Sequence, residues 1–297
     1  KEDAGLMIDP SPALLRVENL SVAFKQGDKE AVAVKDVSFD IYKGETVALV
    51  GESGSGKSVS ALSILQLLPY PLATHPKGNI YFAGEDIFRA TPDRLREIRG
   101  NRIGMIFQEP MTSLNPLHTI EKQIGEVLIL HKKTRRISVR EHVSELLKKV
   151  GLDRVEERLG AYPHQLSGGQ RQRVMIAMAL ANEPEIMIAD EPTTALDVTI
   201  QAQILSVLKE LQTKQKMAML IITHDLGVVR KVADRVFVMT QGQIVESGKT
   251  EEIFRNPQHA YTKHLLASEL KGTAALESPE SPVILKADDL KELFGQK

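Results

Sequence analysis

The chain has 297 residues, 42% of them hydrophobic, enough for one large domain or two ordinary ones with a sizeable core. Its 38 Lys and Arg against 39 Asp and Glu leave a net charge of −1, so there is no global electrostatic attraction to nucleic acid. With no cysteine, disulfides and thiolate metal sites are excluded. No apolar run reaches the ~20 residues of a membrane span, and Lys1-Glu2-Asp3 does not read as a signal peptide. The expectation is a soluble, cytosolic-type chain that needs other components to hold it at a membrane.

Residues 1–12 are polar and end in Pro10-Ser11-Pro12, which predicts a flexible tail. Residues 14–24 carry a broken strand pattern, and Gly27-Asp28 turns the chain. Phe24 is either a plain core side chain or a π-face on which an adenine ring stacks. Val37, Phe39 and Ile41 alternate with polar residues, a half-buried strand. Short alternating strands ahead of a buried one predict a small antiparallel sheet on the edge of an α/β core. Thr46-Val47-Ala48-Leu49-Val50 is that buried strand.

Gly51-Glu52-Ser53-Gly54-Ser55-Gly56-Lys57-Ser58 follows and fits the phosphate-loop pattern G-x-x-x-x-G-K-[ST]. A helix is predicted from Val59 to Leu68, stopped by Pro69. The glycines let the backbone wrap a phosphate and point its N–H groups inward, and the helix start adds its positive end. Lys57 places a charge on the β- and γ-phosphates, and Ser58 offers a hydroxyl to Mg²⁺. The loop and Val59 are the candidate nucleotide contacts.

Residues 77–87 have turn residues around Tyr81 and Phe82 and predict a hairpin. Ile103-Gly104-Met105-Ile106-Phe107 is a second short buried run, with Gln108 directly after it. Asn115-Pro116 breaks the chain, and residues 117–160 read as helical. There Ser138 and Glu141 fit a capping box, Val143, Leu146, Leu147 and Val150 form one apolar face, and Gly151 stops the helix. The basic run His131–Arg136 reads as a solvated face. Leu166-Ser167-Gly168-Gly169-Gln170 precedes an apolar helix. Ser167 is its N-cap candidate, and the two glycines bare a second anion-seeking helix start.

Ile186-Met187-Ile188-Ala189 is a buried strand ending in Asp190-Glu191-Pro192. Beside a phosphate loop, the two acids divide: Asp190 for Mg²⁺ and Glu191 as general base toward water. Asp197 is the predicted cap of a helix over 198–213. Residues 217–223 form another buried strand with His224 at its end. In open α/β sheets that edge is where ligands bind. Residues 236–245 predict a hairpin around Gln241-Gly242, followed by a short helix from Thr250 and a last helix over 261–268. Residues 269–282 read as a linker. With an offset of 270, Ser281, Pro282, Leu285, Leu290 and Phe294 match Ser11, Pro12, Leu15, Leu20 and Phe24. A second, truncated copy of the domain is therefore expected at 283–297.

Together these motifs resemble the ATP-binding domain of ABC transporters, over about residues 14–267. The resemblance implies an α/β phosphate-loop ATPase core, mainly parallel sheet with flanking helices. It adds a small antiparallel β subdomain and an α-helical subdomain at about 109–165, all within 13–268. It makes Gln108 the Q-loop glutamine and a Mg²⁺ contact, Phe24 the adenine platform, Glu191 the catalytic carboxylate and His224 the switch histidine. Ala195-Leu196-Asp197 looks like the D-loop. Ser167, Gly168, Gly169 and Gln170 would contact the nucleotide of a partner domain.

The stretches 107–116 and 256–262 look like the oligopeptide and nickel importer group. The absent cysteines and the restarted pattern resemble the first half of Yej-type tandem ATPases, associated with oligopeptides and microcin C; tandem glutathione importers are similar. The implied cofactors are ATP and Mg²⁺. The implied partners are a second ATP-binding half (tandem copy or homodimer), two membrane permease subunits and, indirectly, a periplasmic or extracellular solute-binding protein, with no nucleic acid. The implied place is the cytoplasmic face of a bacterial inner membrane, as a peripheral subunit. A soluble ABC ATPase of translation or DNA repair is the alternative. The short Pro- and Ser-containing linker and the lack of room or Cys for a coiled-coil or zinc insertion speak against it.

Overall fold

The computed structural model describes residues 12–269, apart from 28, 109–112, 133–135 and 195. The expected tail, most of the linker and the restarted copy lie outside these residues. So do the side chains of the run His131–Arg136, except that of His131, which is half-buried. The strands are β1 (Leu15–Gln26), β2 (Lys29–Ile41), β3 (Thr46–Val50), β4 (Ala73–Phe82), β5 (Glu85–Asp86), β6 (Ile103–Ile106), β7 (Ile186–Asp190), β8 (Ala218–Thr223), β9 (Arg235–Thr240) and β10 (Gln243–Lys249).

They form two sheets. One is antiparallel in the order β2-β1-β4-β5, and the other has the order β10-β9-β3-β8-β7-β6. In the larger sheet β3 and β6 to β9 run parallel, with β10 antiparallel at the edge. Successive residues of β3 face opposite ways. Val47 and Leu49 join a core with Leu15, Leu20, Ile41 and Phe82 of the antiparallel sheet. Ala48 and Val50 join a core with Ile124, Leu147 and Ile176 of the helices on the other side.

The small antiparallel sheet expected is present, but it is a layer on one face of the core rather than on its edge. Its inner residues are large and apolar, each gaining about 1.5–3 kcal/mol by burial, and only a sheet face offers them enough area. The broken pattern in β1 is a bulge: Asn19 has φ 50, and the register shifts between Val17 and Leu20.

Several boundaries differ from expectation. The helix after the phosphate loop spans Lys57–Ile64 and ends well before Pro69. Gln66 adopts φ 48, and Leu67 N donates to Leu62 O (2.9 Å), the closing bond of a left-handed helix stop. The hairpin near residue 81 is present, but its turn is Ala83-Gly84, since Tyr81 and Phe82 pair with Asp86 and Glu85. Ser138 lies inside the helix Arg136–Lys149 and is not its cap. The apolar face includes buried Val139, one residue past Ser138. Its end is as expected: Gly151 N donates to Lys148 O and Leu152 N to Leu147 O, both 2.9 Å. Among the described residues no helix is long and apolar enough to cross a membrane.

Candidate functional site

In the larger sheet β3, β8, β7 and β6 are neighbours and parallel, so their carboxyl ends share one edge. The phosphate loop follows β3 and His224 follows β8. Asp190 ends β7, with Glu191 next, and Gln108 lies just past β6. Residues spread over 170 positions of sequence thus meet along one line, at the edge where open α/β sheets bind ligands.

The loop is shaped by its surroundings. Gly51 has φ 152, and a Cβ there would lie 2.0 Å from Met239 O; at Gly56, φ 99, it would lie 2.8 Å from Ala33 O. Only glycine fits either position. Gly54 and the side chains of Glu52 and Ser53 are exposed at the outer bend, whereas Ser55 is buried. Gly56 caps the helix without a side-chain bond, and there is no acid in the first turn. The N–H groups of Lys57, Ser58 and Val59 therefore present an uncompensated positive end, suited to phosphate.

Lys57 is 5% exposed, and its Nζ donates to Gly51 O (2.8 Å), Glu52 O (2.8 Å) and Ser55 Oγ (3.2 Å). Burial lowers its pKa, against the opposing charges of Glu191, Asp190 and Glu52.

Ser58 Oγ donates to Asp190 Oδ1 at 3.0 Å. Burial raises the Asp190 pKa and Glu191 adds to this, while the Ser58 bond and Lys57 oppose it. A buried carboxylate paired with a hydroxyl suits a hard cation that keeps water and phosphate among its ligands. Among the described residues no group of three or more His, Cys, Asp or Glu forms a metal cage. Mg²⁺ would thus rely on Ser58 and Asp190 together with nucleotide oxygens.

Glu191 has φ 45 and its N–H is held by Ile222 O (2.8 Å). Its carboxylate accepts from Gln108 Nε2 (3.1 Å) and Thr194 Oγ1 (2.7 Å), and His224 Nδ1 lies 3.2 Å from Oε1. Burial pushes its pKa up, but bonds to Thr194 and His224 and the charges of His224 and Lys57 outweigh this and hold it below the ordinary glutamate value. The structure therefore joins Gln108, Glu191 and His224 in one cluster beside Asp190, Ser58 and Lys57.

Phe24 is half-buried in β1 between Ala31 and Ala73, packed on the core of the antiparallel sheet. Neighbouring Ala33 and Val34 of β2 abut Gly56. Ser167 caps the helix Gly168–Leu180 reciprocally: its Oγ accepts from Gln170 N (3.3 Å) and Gln170 Oε1 accepts from Ser167 N (3.0 Å). Gly168 and Gly169 face Leu196 and Ile200. Among the described residues no hydrogen bond joins 167–170, the second anion-seeking helix start, to the phosphate loop and helix start at 51–59.

Two residues escaped the sequence reading. Thr194 was legible as the hydroxyl closing a turn three residues after Glu191. Tyr261, whose hydroxyl accepts from Glu52 N at 3.0 Å, lies 209 positions away; it falls in the stretch 256–262 that carries the group resemblance, but nothing local ties it to the loop.

The sheet, the loop and the acids at the neighbouring strand end define a phosphate-loop nucleotide-binding domain. A sequence profile described as "ABC transporter" matches residues 34–194. An Agrobacterium fabrum protein, "Peptidoglycan transport ATP-binding protein YejF", is 62% identical over 284 residues, covering 96% of this chain and 52% of its own length. The oligopeptide transport ATP-binding protein OppD of Bacillus subtilis is 52% identical over 255 residues, covering 86% of this chain and 71% of its own. A dimeric post-hydrolysis structure of the ATP-binding cassette MJ0796 with ADP and Pi superposes with TM-score 0.72 at 33% identity, over 80% of this chain and 98% of that one. The chain belongs to the ABC transporter family. It spans about half the length of its YejF relatives from Agrobacterium fabrum and Escherichia coli.

Proposed function

We propose that this chain binds and hydrolyses Mg-ATP to drive an importer of peptides or peptide-like solutes. The observation that carries the hydrolytic reading is the convergence of Gln108 and His224 on Glu191, next to the Ser58–Asp190 pair and buried Lys57. The peptide reading rests on what the relatives are called.

The loop N–H groups and Lys57 bind the β- and γ-phosphates. Ser58 and Asp190, with Gln108 nearby, would hold Mg²⁺, which would supply charge neutralisation there. Glu191 orients water and takes its proton as the oxygen attacks the γ-phosphorus and the bond to the ADP oxygen breaks. His224 and Gln108 hold Glu191 in place. Phe24 supports the adenine.

The site is completed by a second ATP-binding half, whose own Ser167–Gln170 equivalent closes on this γ-phosphate, while Ser167, Gly168, Gly169 and Gln170 here serve the partner's nucleotide. Two membrane permease subunits are the other partners, reached from the cytoplasmic face of the inner membrane, with a solute-binding protein acting through them. A cavity of about 320 Å³ beside β6, lined by Leu65, Leu67, Met105, Phe107, Val127 and Met178, supports docking of a short permease helix.

The test is uptake of a labelled oligopeptide by cells lacking the gene. Wild type should restore uptake and Lys57→Ala should not. Equal rescue by both, or an Mg-ATP titration with no difference between them, overturns the reading.

A further inference from the structure

The segment before the last helix is fastened at two places. Glu246 of β10 accepts from Gln258 N (2.6 Å) through Oε1 and from His259 N (3.0 Å) through Oε2. Burial raises the Glu246 pKa, but the backbone bond from Gln258, the Thr262 side chain, the backbone bond from His259 and the charge of His259 together outweigh it and favour the carboxylate. The carboxylate thus clamps the entry to the helix Ala260–Glu269. One residue into that helix, the Tyr261 hydroxyl accepts the N–H of Glu52 at 3.0 Å. Glu52 is the second residue of the phosphate loop, on an exposed bend. Tyr261 is half-buried, and its ring packs against the helix-side core. Among the described residues, no other side chain from outside the loop donates to or accepts from the backbone of residues 52–54.

We propose that Tyr261 is a positioning residue of the nucleotide site, a latch by which the C-terminal helix holds the phosphate loop in its phosphate-ready form, with Glu246 as its anchor. This rests on the reading of the loop as an ATP site. The loop's inner curve is fixed by Met239, Ala33 and Lys57; at its outer bend Glu52 O is held from within the loop by Lys57 and Ser55, and Glu52 N is held from outside it by this hydroxyl. A loop held before binding loses less freedom when phosphate arrives. Coupling of this kind is reciprocal, so bound nucleotide must in turn steady the C-terminal helix.

The test uses the full-length protein and a fluorescent ATP analogue with Mg²⁺. Tyr261→Phe removes one oxygen and keeps the ring. The expected result is a Kd raised about fivefold, the scale of one net hydrogen bond, with turnover at saturating ATP nearly unchanged. Glu246→Gln should shift Kd the same way. Hydrogen exchange supplies a readout that a merely structural role would not move. Nucleotide should slow exchange in residues 256–269 of wild type and leave them unaffected in Tyr261→Phe. Equal Kd values, or equal nucleotide-dependent protection in both proteins, overturn the latch while leaving the ATP site standing. No binding by wild type overturns both.

Discussion

Replacing Glu191 by Gln separates chemistry from architecture. In the structure one carboxylate oxygen accepts from Thr194 (2.7 Å) and Gln108 (3.1 Å), and the other faces His224 Nδ1 (3.2 Å). Glutamine keeps an oxygen for the first pair and offers an NH₂ to the imidazole nitrogen, so the fold should lose no more than about 1 kcal/mol. What it cannot do is accept the proton of the attacking water. Loss of a general base typically costs about 10²–10⁴ in rate, equivalent to about 2.7–5.4 kcal/mol on the barrier. The expected outcome is near-normal ATP affinity and melting temperature with turnover below a hundredth of wild type. The assays are phosphate release at saturating Mg-ATP, equilibrium titration and thermal melting, in the complete assembly. Turnover above a tenth of wild type would refute the assignment of Glu191 as base, as would parallel losses of affinity and rate.

Gly51→Ala forces a Cβ to 2.0 Å from the Met239 carbonyl, so backbone must move. The expected cost is about 2–4 kcal/mol of stability plus loss of ATP binding, read by melting and titration. Asp190→Asn tests the electrostatics. The folded pKa of Asp190 lies above its unfolded value, so the folded state binds more protons between the two, and stability falls as pH rises through that window. The variant keeps an acceptor for Ser58 and lacks the buried charge. Relative to wild type without nucleotide, its melting temperature should improve as pH rises from the ordinary aspartate value through the raised folded one and level off above it, while Mg²⁺-dependent binding is lost. A variant less stable by a constant amount at all pH values would refute this. For the isolated chain, hydrolysis should be weak and specific activity should rise with protein concentration, since no hydrogen bond joins Ser167–Gln170 to their own loop and the proposed site takes these residues from a partner half. Light scattering with Mg-ATP should find more dimer in Glu191→Gln than in wild type, and full activity independent of concentration would contradict the composite site.

Local physics made much of this readable in one dimension. The phosphate loop, the Ser167 and Asp197 caps, the Gly151 stop and the buried strands at 46–50, 186–190 and 218–223 each depend on neighbours within a few residues, so sequence alone determined them. Asp190 and Glu191 could be assigned roles because a strand end and a phosphate loop in one chain restrict the chemistry. Other features depend on where distant segments meet. Burial needs of β1 and β2 turned an expected edge sheet into a second layer, and a non-glycine residue, Gln66, ended a helix that Pro69 was expected to end. The strand order β3-β8-β7-β6 brought Gln108, Glu191 and His224 within hydrogen-bond reach, and only the packed C-terminal helix placed Tyr261 on Glu52. Spacing along a chain carries the caps and turns. Contacts across tens to hundreds of residues leave no periodic trace, because they are fixed by the packing of whole faces rather than by adjacent residues.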